Sequence, residues 1–153
     1  MSKPNFPPKV DADAFGINAA YSTDSYGVAV AYVTDDGGTA TDTQYWGLNG
    51  YYTFDLASLS VGFETSDDGT TEKSGYFVGL SFPEVGPGSV NVAAATYNGT
   101  DGLFADSATE YLTYEASYSY PVNDGMTITP GIFIQETSGD DLTGVAVKAS
   151  FSF

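Results

Sequence analysis

The sequence has no cysteine and no histidine among its 153 residues. Without cysteine there is no disulfide framework, no thiolate zinc site and no thiol nucleophile. Without histidine the usual general base is missing, and with it the Ser/His and His-metal constellations. Basic residues are nearly as scarce: four Lys and Arg stand against twenty Asp and Glu, for a formal charge of −16. Such a surface repels a phosphate backbone, so nucleic acid is excluded as a partner. No apolar run approaches the roughly 18 residues that a membrane-spanning helix needs. The opening MSKPNFPPKVDAD has no apolar stretch and carries three prolines, so it reads neither as a secretory signal nor as a helix. Either a signal has been removed or the chain is a piece of something longer.

What is plentiful is Gly (18), Tyr (12) and Phe (10), within a hydrophobic fraction of 42% that is too high for a disordered acidic chain. Aromatic and glycine richness without cysteine points to β structure. A Pro-rich segment over 1–13 precedes one β domain over 14–153, in which nine segments alternate with period 2. Their apolar sides are Phe15, Ile17, Ala19, Tyr21; Tyr26, Val28, Val30, Tyr32; Trp46, Leu48, Tyr52, Phe54; Ala57, Leu59, Val61, Phe63; Tyr76, Val78, Leu80, Phe82; Val90, Val92, Ala94; Leu112, Tyr114, Ala116, Tyr118, Tyr120; Met126, Ile128, Ile132, Ile134; and Val145, Val147, Ala149, Phe151, Phe153. The opposite sides are rich in Gly, Ser, Thr and Asn, and the chain ends inside its last segment, LTGVAVKASFSF.

Three patterns separate a membrane barrel from a packed sandwich. Glu64, Glu115 and Lys148 are the charges well inside the segments, and all three lie on the Gly/Ser/Asn side. A charge facing lipid is costly, whereas one facing a lumen is tolerated. Tyr21, Tyr26, Tyr52, Phe54, Phe82, Tyr118, Tyr120, Phe151 and Phe153 cluster at one end of the apolar sides, and Tyr32 and Trp46 at the other, with Phe63 and Tyr76. Two aromatic belts around an aliphatic band are what the two interfaces of a bilayer select. Short connections (Thr23-Asp24-Ser25, Asp55, Pro83 to Pro87, Val122 to Gly125) alternate with long acidic ones (Asp35 to Asp42, Ser66 to Lys73, Asn98 to Thr109, Thr137 to Asp141). Asn123-Asp124-Gly125 offers the φ > 0 formers of a tight hairpin. The expected fold is all-β: an antiparallel up-and-down transmembrane β-barrel with about eight to ten strands in this chain, or part of a barrel of about 16–18. Asn18, Asn49, Glu64, Asn91, Glu115, Gln135 and Lys148 are the expected pore-lining residues.

A family resemblance rests on YSYPVNDGMTITPGIFIQETSGDDLTGVAVKASFSF, Tyr118 to Phe153: a hairpin over an NDG turn, a TP strand, an acidic loop and a closing strand with a terminal aromatic. This stretch, and most of the region from Asp13 onward, resembles the C-terminal part of the outer-membrane porins of marine cyanobacteria, which are similar to OprB-type carbohydrate-selective porins. The resemblance implies an outer-membrane channel in contact with lipid that passes ions and small solutes, with no cofactor. Three arrangements are open: a piece of a larger porin, a small barrel, or strands from several copies in a homo-oligomer.

Competing readings are weaker. The Asp/Gly clusters at 35–37, 67–69 and 139–141 offer hard oxygen ligands, but none has the spacing of a calcium loop, so no metal is expected. Asn98-Gly99-Thr100 is a formal sequon that reads better as a turn. Catalysis would need paired carboxylates, and Glu64 and Glu115 fit lumen electrostatics better, so no enzyme is expected. The main alternative is a non-catalytic acidic β-sandwich, a structural or interaction protein.

Overall fold

A computed structural model of the chain describes residues 13–37, 42–98 and 110–152. The Pro-rich start, most of the Asn98–Thr109 connection with its sequon, the middle of the Asp35–Asp42 connection, and Phe153 lie outside the described residues. Within them the chain forms β1 (Ala14–Ser22), β2 (Tyr26–Asp35), β3 (Thr43–Thr53), β4 (Ser58–Asp67), β5 (Glu72–Val85), β6 (Gly88–Asn98), β7 (Glu110–Asn123), β8 (Met126–Gln135) and β9 (Leu142–Phe151). They lie in one sheet in chain order, each antiparallel to the next. This is an all-β up-and-down meander. β1 and β9 form its two edges and are not paired with each other, so the sheet is not closed among the described residues.

The register follows from alternation. A slip of one residue would turn every side chain of a strand to the other face. Val30 lies between Ala19 and Leu48, Val61 between Gly50 and Val78, and Ile132 between Ala116 and Val145. Cross-strand partners share a face, so the apolar residues of all nine strands line one side of the sheet. Among the described residues that side has no second layer over it. Leu48 is 50%, Val61 43% and Ile132 47% exposed, and no large side chain among the described residues is fully buried. A sandwich would bury this face against another sheet, so the sandwich reading is corrected: the described residues form one sheet, with its apolar side open.

The two ends of the sheet differ in their turns. At the end holding residues 23–25, 54–57, 86–87 and 124–125 the connections are tight. Thr23 Oγ1 accepts the amides of Tyr26 and Ser25, and Phe54 N donates to Ala57 O. The single-residue connection expected at Asp55 is therefore a four-residue turn that contains Phe54. Pro83 to Val85 and Val122 to Asn123 are also strand rather than connection. The register shifts by one between Phe82 and Val85 on β5, and between Pro121 and Asn123 on β7. A bulge absorbs the extra residue beside each proline, which has no N–H to give a ladder.

The two-residue turns that remain are not alike. Gly86 has φ 62° and is followed by Pro87, which suits a type II′ hairpin. Asn123, Asp124 and Gly125 all have negative φ, against expectation; there Asn123 Oδ1 accepts the Gly125 amide and holds the turn.

At the other end the expected long loop Ser66–Lys73 is also tight, because β4 runs to Asp67 and β5 begins at Glu72. Two Asp-Asp-Gly sequences at this end fold in one way. Asp35 Oδ1 accepts the Gly37 amide and Asp67 Oδ1 the Gly69 amide, with the glycines at φ 54° and 79°. The side chain supplies the acceptor and the glycine the left-handed residue. Glu136 continues the β7–β8 ladder past its last strand residue: its amide donates to Leu112 O, and its carboxylate accepts from Leu112 N.

Candidate functional site

Every expected pore-lining residue falls on the face opposite the apolar one, by register. Asn18 pairs with Ala31, Asn49 with Ala29 and Gly62, Glu64 with Gly47 and Gly75, and Asn91 with Ser81 and Ser117. Glu115 pairs with Ala93 and Phe133, Gln135 with Thr113 and Leu142, and Lys148 with Thr129. Glu64, Asn91 and Gln135 are half-buried; Asn18, Asn49, Glu115 and Lys148 are exposed. The fold brings Asn49 and Glu64 to one hollow and sets Asn91 in a hydroxyl-rich row, Ser58, Ser81, Asn91 and Ser117. Glu115 and Lys148 stand apart from that hollow, on β7 and β9.

The belt residues within the described strands lie where alternation puts them, on the apolar face and near its two ends, while Phe54 lies in the turn after β3. At the tight-turn end, ring centroids are 6.0 Å apart for Tyr21 and Tyr26, 4.7 Å for Tyr52 and Phe54, and 6.4 Å for Tyr118 and Tyr120. Phe151 stands at the same end of β9, opposite Met126. At the other end Tyr32 and Trp46 are cross-strand partners with centroids 4.5 Å apart. From Tyr26 to Tyr32 the strand advances by about 20 Å at about 3.4 Å per residue. The lipid-facing band of an outer-membrane barrel is about 25 Å tall.

One feature of the charged face was not visible in the sequence. A Cβ on Gly27 or Gly144 would run into the ring of Tyr51 or Phe133, each the direct cross-strand partner, and one on Gly79 would lie 2.7 Å from the Phe77 ring. These three rings lie against glycines, over backbone that no side chain protects. Tyr51 also donates from Oη to Thr23 O at 2.8 Å, tying β3 to the β1–β2 turn. The Phe77-x-Gly79 spacing was there to be read, but the other two pairs need the register.

The acidic clusters do not converge into a ligand set: among the described residues no three Asp or Glu side chains are grouped as a metal would require. Asp68 accepts the amides of Thr71 and Thr70, and these bonds hold its carboxyl below the usual carboxylate range, with Lys73 adding a smaller pull.

A family model described as Gram-negative porin matches residues 4–142. No curated protein and no solved structure matches the chain.

Proposed function

Since the chain belongs to the Gram-negative porin family, a family of the outer membrane, we propose that its sheet is barrel wall through which ions and small solutes diffuse passively. The observation that carries this reading is the sorting of the two faces. Glu64, Glu115 and Lys148 share one face, and the other is an uncovered apolar band with aromatic rings at both ends. Lipid covers such a band, and water tolerates the charged side. Spanning backbone must also have its edges paired, so β1 and β9 meet further strands, from the rest of a larger barrel or from other copies in a homo-oligomer. The likeness of Tyr118–Phe153 to carbohydrate-selective porins of marine cyanobacteria adds sugars to the solutes proposed. No chemical step is assigned to the chain.

Glu64 and Glu115 then make the lumen prefer cations, with Lys148 offsetting them in part. Planar-bilayer recordings under a salt gradient are expected to give a cation-favouring reversal potential. It weakens toward 1 M salt, where the Debye length is about 3 Å, and is smaller in Glu64→Gln/Glu115→Gln. Anion preference at every salt concentration would reject these residues as the lumen lining.

A further inference from the structure

On the charged face, a hollow of about 390 Å³ is lined by Gly47, Asn49, Gly62, Glu64, Gly75 and Phe77. A smaller one of about 150 Å³, with Tyr45 and Val33 in its wall, shares Gly47 and Glu64 with it. The glycines explain the space. Glycine inside a strand weakens it and calls for a reason: a bulge, a turn conformation or the close approach of another group. At Gly47 and Gly62 the first two are absent, since both have ordinary negative φ and lie in unbroken register. A Cβ on Gly47 would meet nothing within 4 Å, and one on Gly62 only the Phe77 Cβ at 3.9 Å. Side chains would fit here, yet the floor is left bare beside a half-buried carboxylate.

We propose that this hollow is a binding station for small organic ammonium ions that cross the channel. The inference rests on the diffusion reading above and adds a ligand class to it. Glu64 can only accept, and its direct neighbours on both adjoining strands are glycines, so an incoming charge reaches it past no side chain in its own row. Apart from the Glu64 carboxylate, the Asn49 amide and the Thr96 hydroxyl, the walls are chiefly carbon, with Phe77 among them. A metal cation would give up its hydration shell to such walls with little in return. An alkylammonium ion instead brings apolar groups to the carbon and a weakly hydrated charge to the carboxylate. The other cation on this face nearby, Lys73, stands toward the loop end and acts on Asp68.

Choline chloride is the probe. Added to the full-length protein in planar bilayers, it is expected to reduce K⁺ current saturably. The half-blocking concentration should rise about tenfold or more in Glu64→Gln, and also in Gly47→Leu, which fills the hollow while keeping the carboxylate. In Glu115→Gln it should move less than about twofold, because that carboxylate is three strands away. Ligand-observed NMR of the choline methyl signal with detergent-solubilised protein reads the same binding without conduction. Choline binding that depends on Glu64 in a protein that conducts nothing keeps the station and removes the diffusion reading. Conduction with no choline binding, or equal shifts in Glu64→Gln and Glu115→Gln, overturns the station and leaves the channel.

Discussion

The two faces of the sheet are made by the same backbone and treat glycine in opposite ways. On the apolar face, Gly50 is the one strand-interior glycine between the belts in β2 to β5, and its neighbours Val28 and Val61 are aliphatic. On the charged face, Gly27, Gly47, Gly62, Gly75, Gly79, Gly131 and Gly144 recur, some roofed by rings and some bare. The difference follows from what each face meets. A lipid-facing surface is stabilised by the carbon it presents, and apart from Gly50 this face carries side chains throughout the middle of β2 to β5. In a barrel wall the opposite face is the concave one and meets water, and here it is uneven: rings laid against glycine, single charges, and two adjoining hollows beside Glu64.

The largest test of this comparison places one charge on each side of one strand. Val61→Arg puts a guanidinium among Gly50 and Val78 in the middle of the apolar band. It is expected to block insertion into lipid vesicles or to cost about 2 to 4 kcal/mol near the bilayer midplane. Ser60→Arg, one residue earlier on the other face, is expected to insert normally. Urea titration of folding into vesicles measures both, and equal losses would abolish the distinction between faces.

A second test compares roofed with bare glycines within the charged face. Gly27→Ala pushes a methyl into the Tyr51 ring and breaks the Tyr51 Oη bond to Thr23 O, so it should destabilise by about 1 kcal/mol, the usual net worth of such a bond. Gly62→Ala meets only the Phe77 Cβ at 3.9 Å and gains strand propensity, so it should be neutral or stabilising by up to about 1 kcal/mol. If both destabilise alike in vesicle unfolding, the rings laid against glycine are not what distinguishes these positions.

How much of this could be read in the sequence depended on whether a feature needed register. Alternation within one segment is local, so the side chosen by Val61, Glu64 or Lys148 was legible before any pairing was known. Aromatic residues at segment ends were legible for the same reason. Strand ends were not: Glu72, Lys73 and Asp67 look like loop because both faces turn polar beyond the apolar band, yet they continue the β4–β5 ladder. Pro83 reads as the start of a connection, but a bulge carries β5 past it, as another carries β7 past Pro121. The hollow beside Glu64 needs β3, β4 and β5 in register at once, since Gly47, Glu64 and Gly75 become neighbours only then. The roof of Phe133 over Gly144 was hidden in the same way.

The smallest expected effect moves from the faces to the rim, where the sheet meets bulk water. Asp68 is exposed, and the Thr71 and Thr70 amides that it accepts hold its carboxyl below the ordinary range. A carboxyl lowered by folding stabilises the folded form at pH values above its unfolded pKa, about 3.9, and that contribution is lost as pH falls through the lower folded value. Protection of the Thr70 and Thr71 amides from hydrogen exchange is therefore expected to hold from neutral pH to about pH 4 and then to fall. In Asp68→Asn the amide oxygen can accept the same bonds without titrating, so the acid-dependent step should vanish. Amides of Leu48 and Val61, in the middle of their strands and away from the rim carboxylates, should show no such step. If they lost protection together with Thr70 and Thr71, acid would be loosening the whole β3–β5 region, and the rim would not be electrostatically separate from the wall it closes.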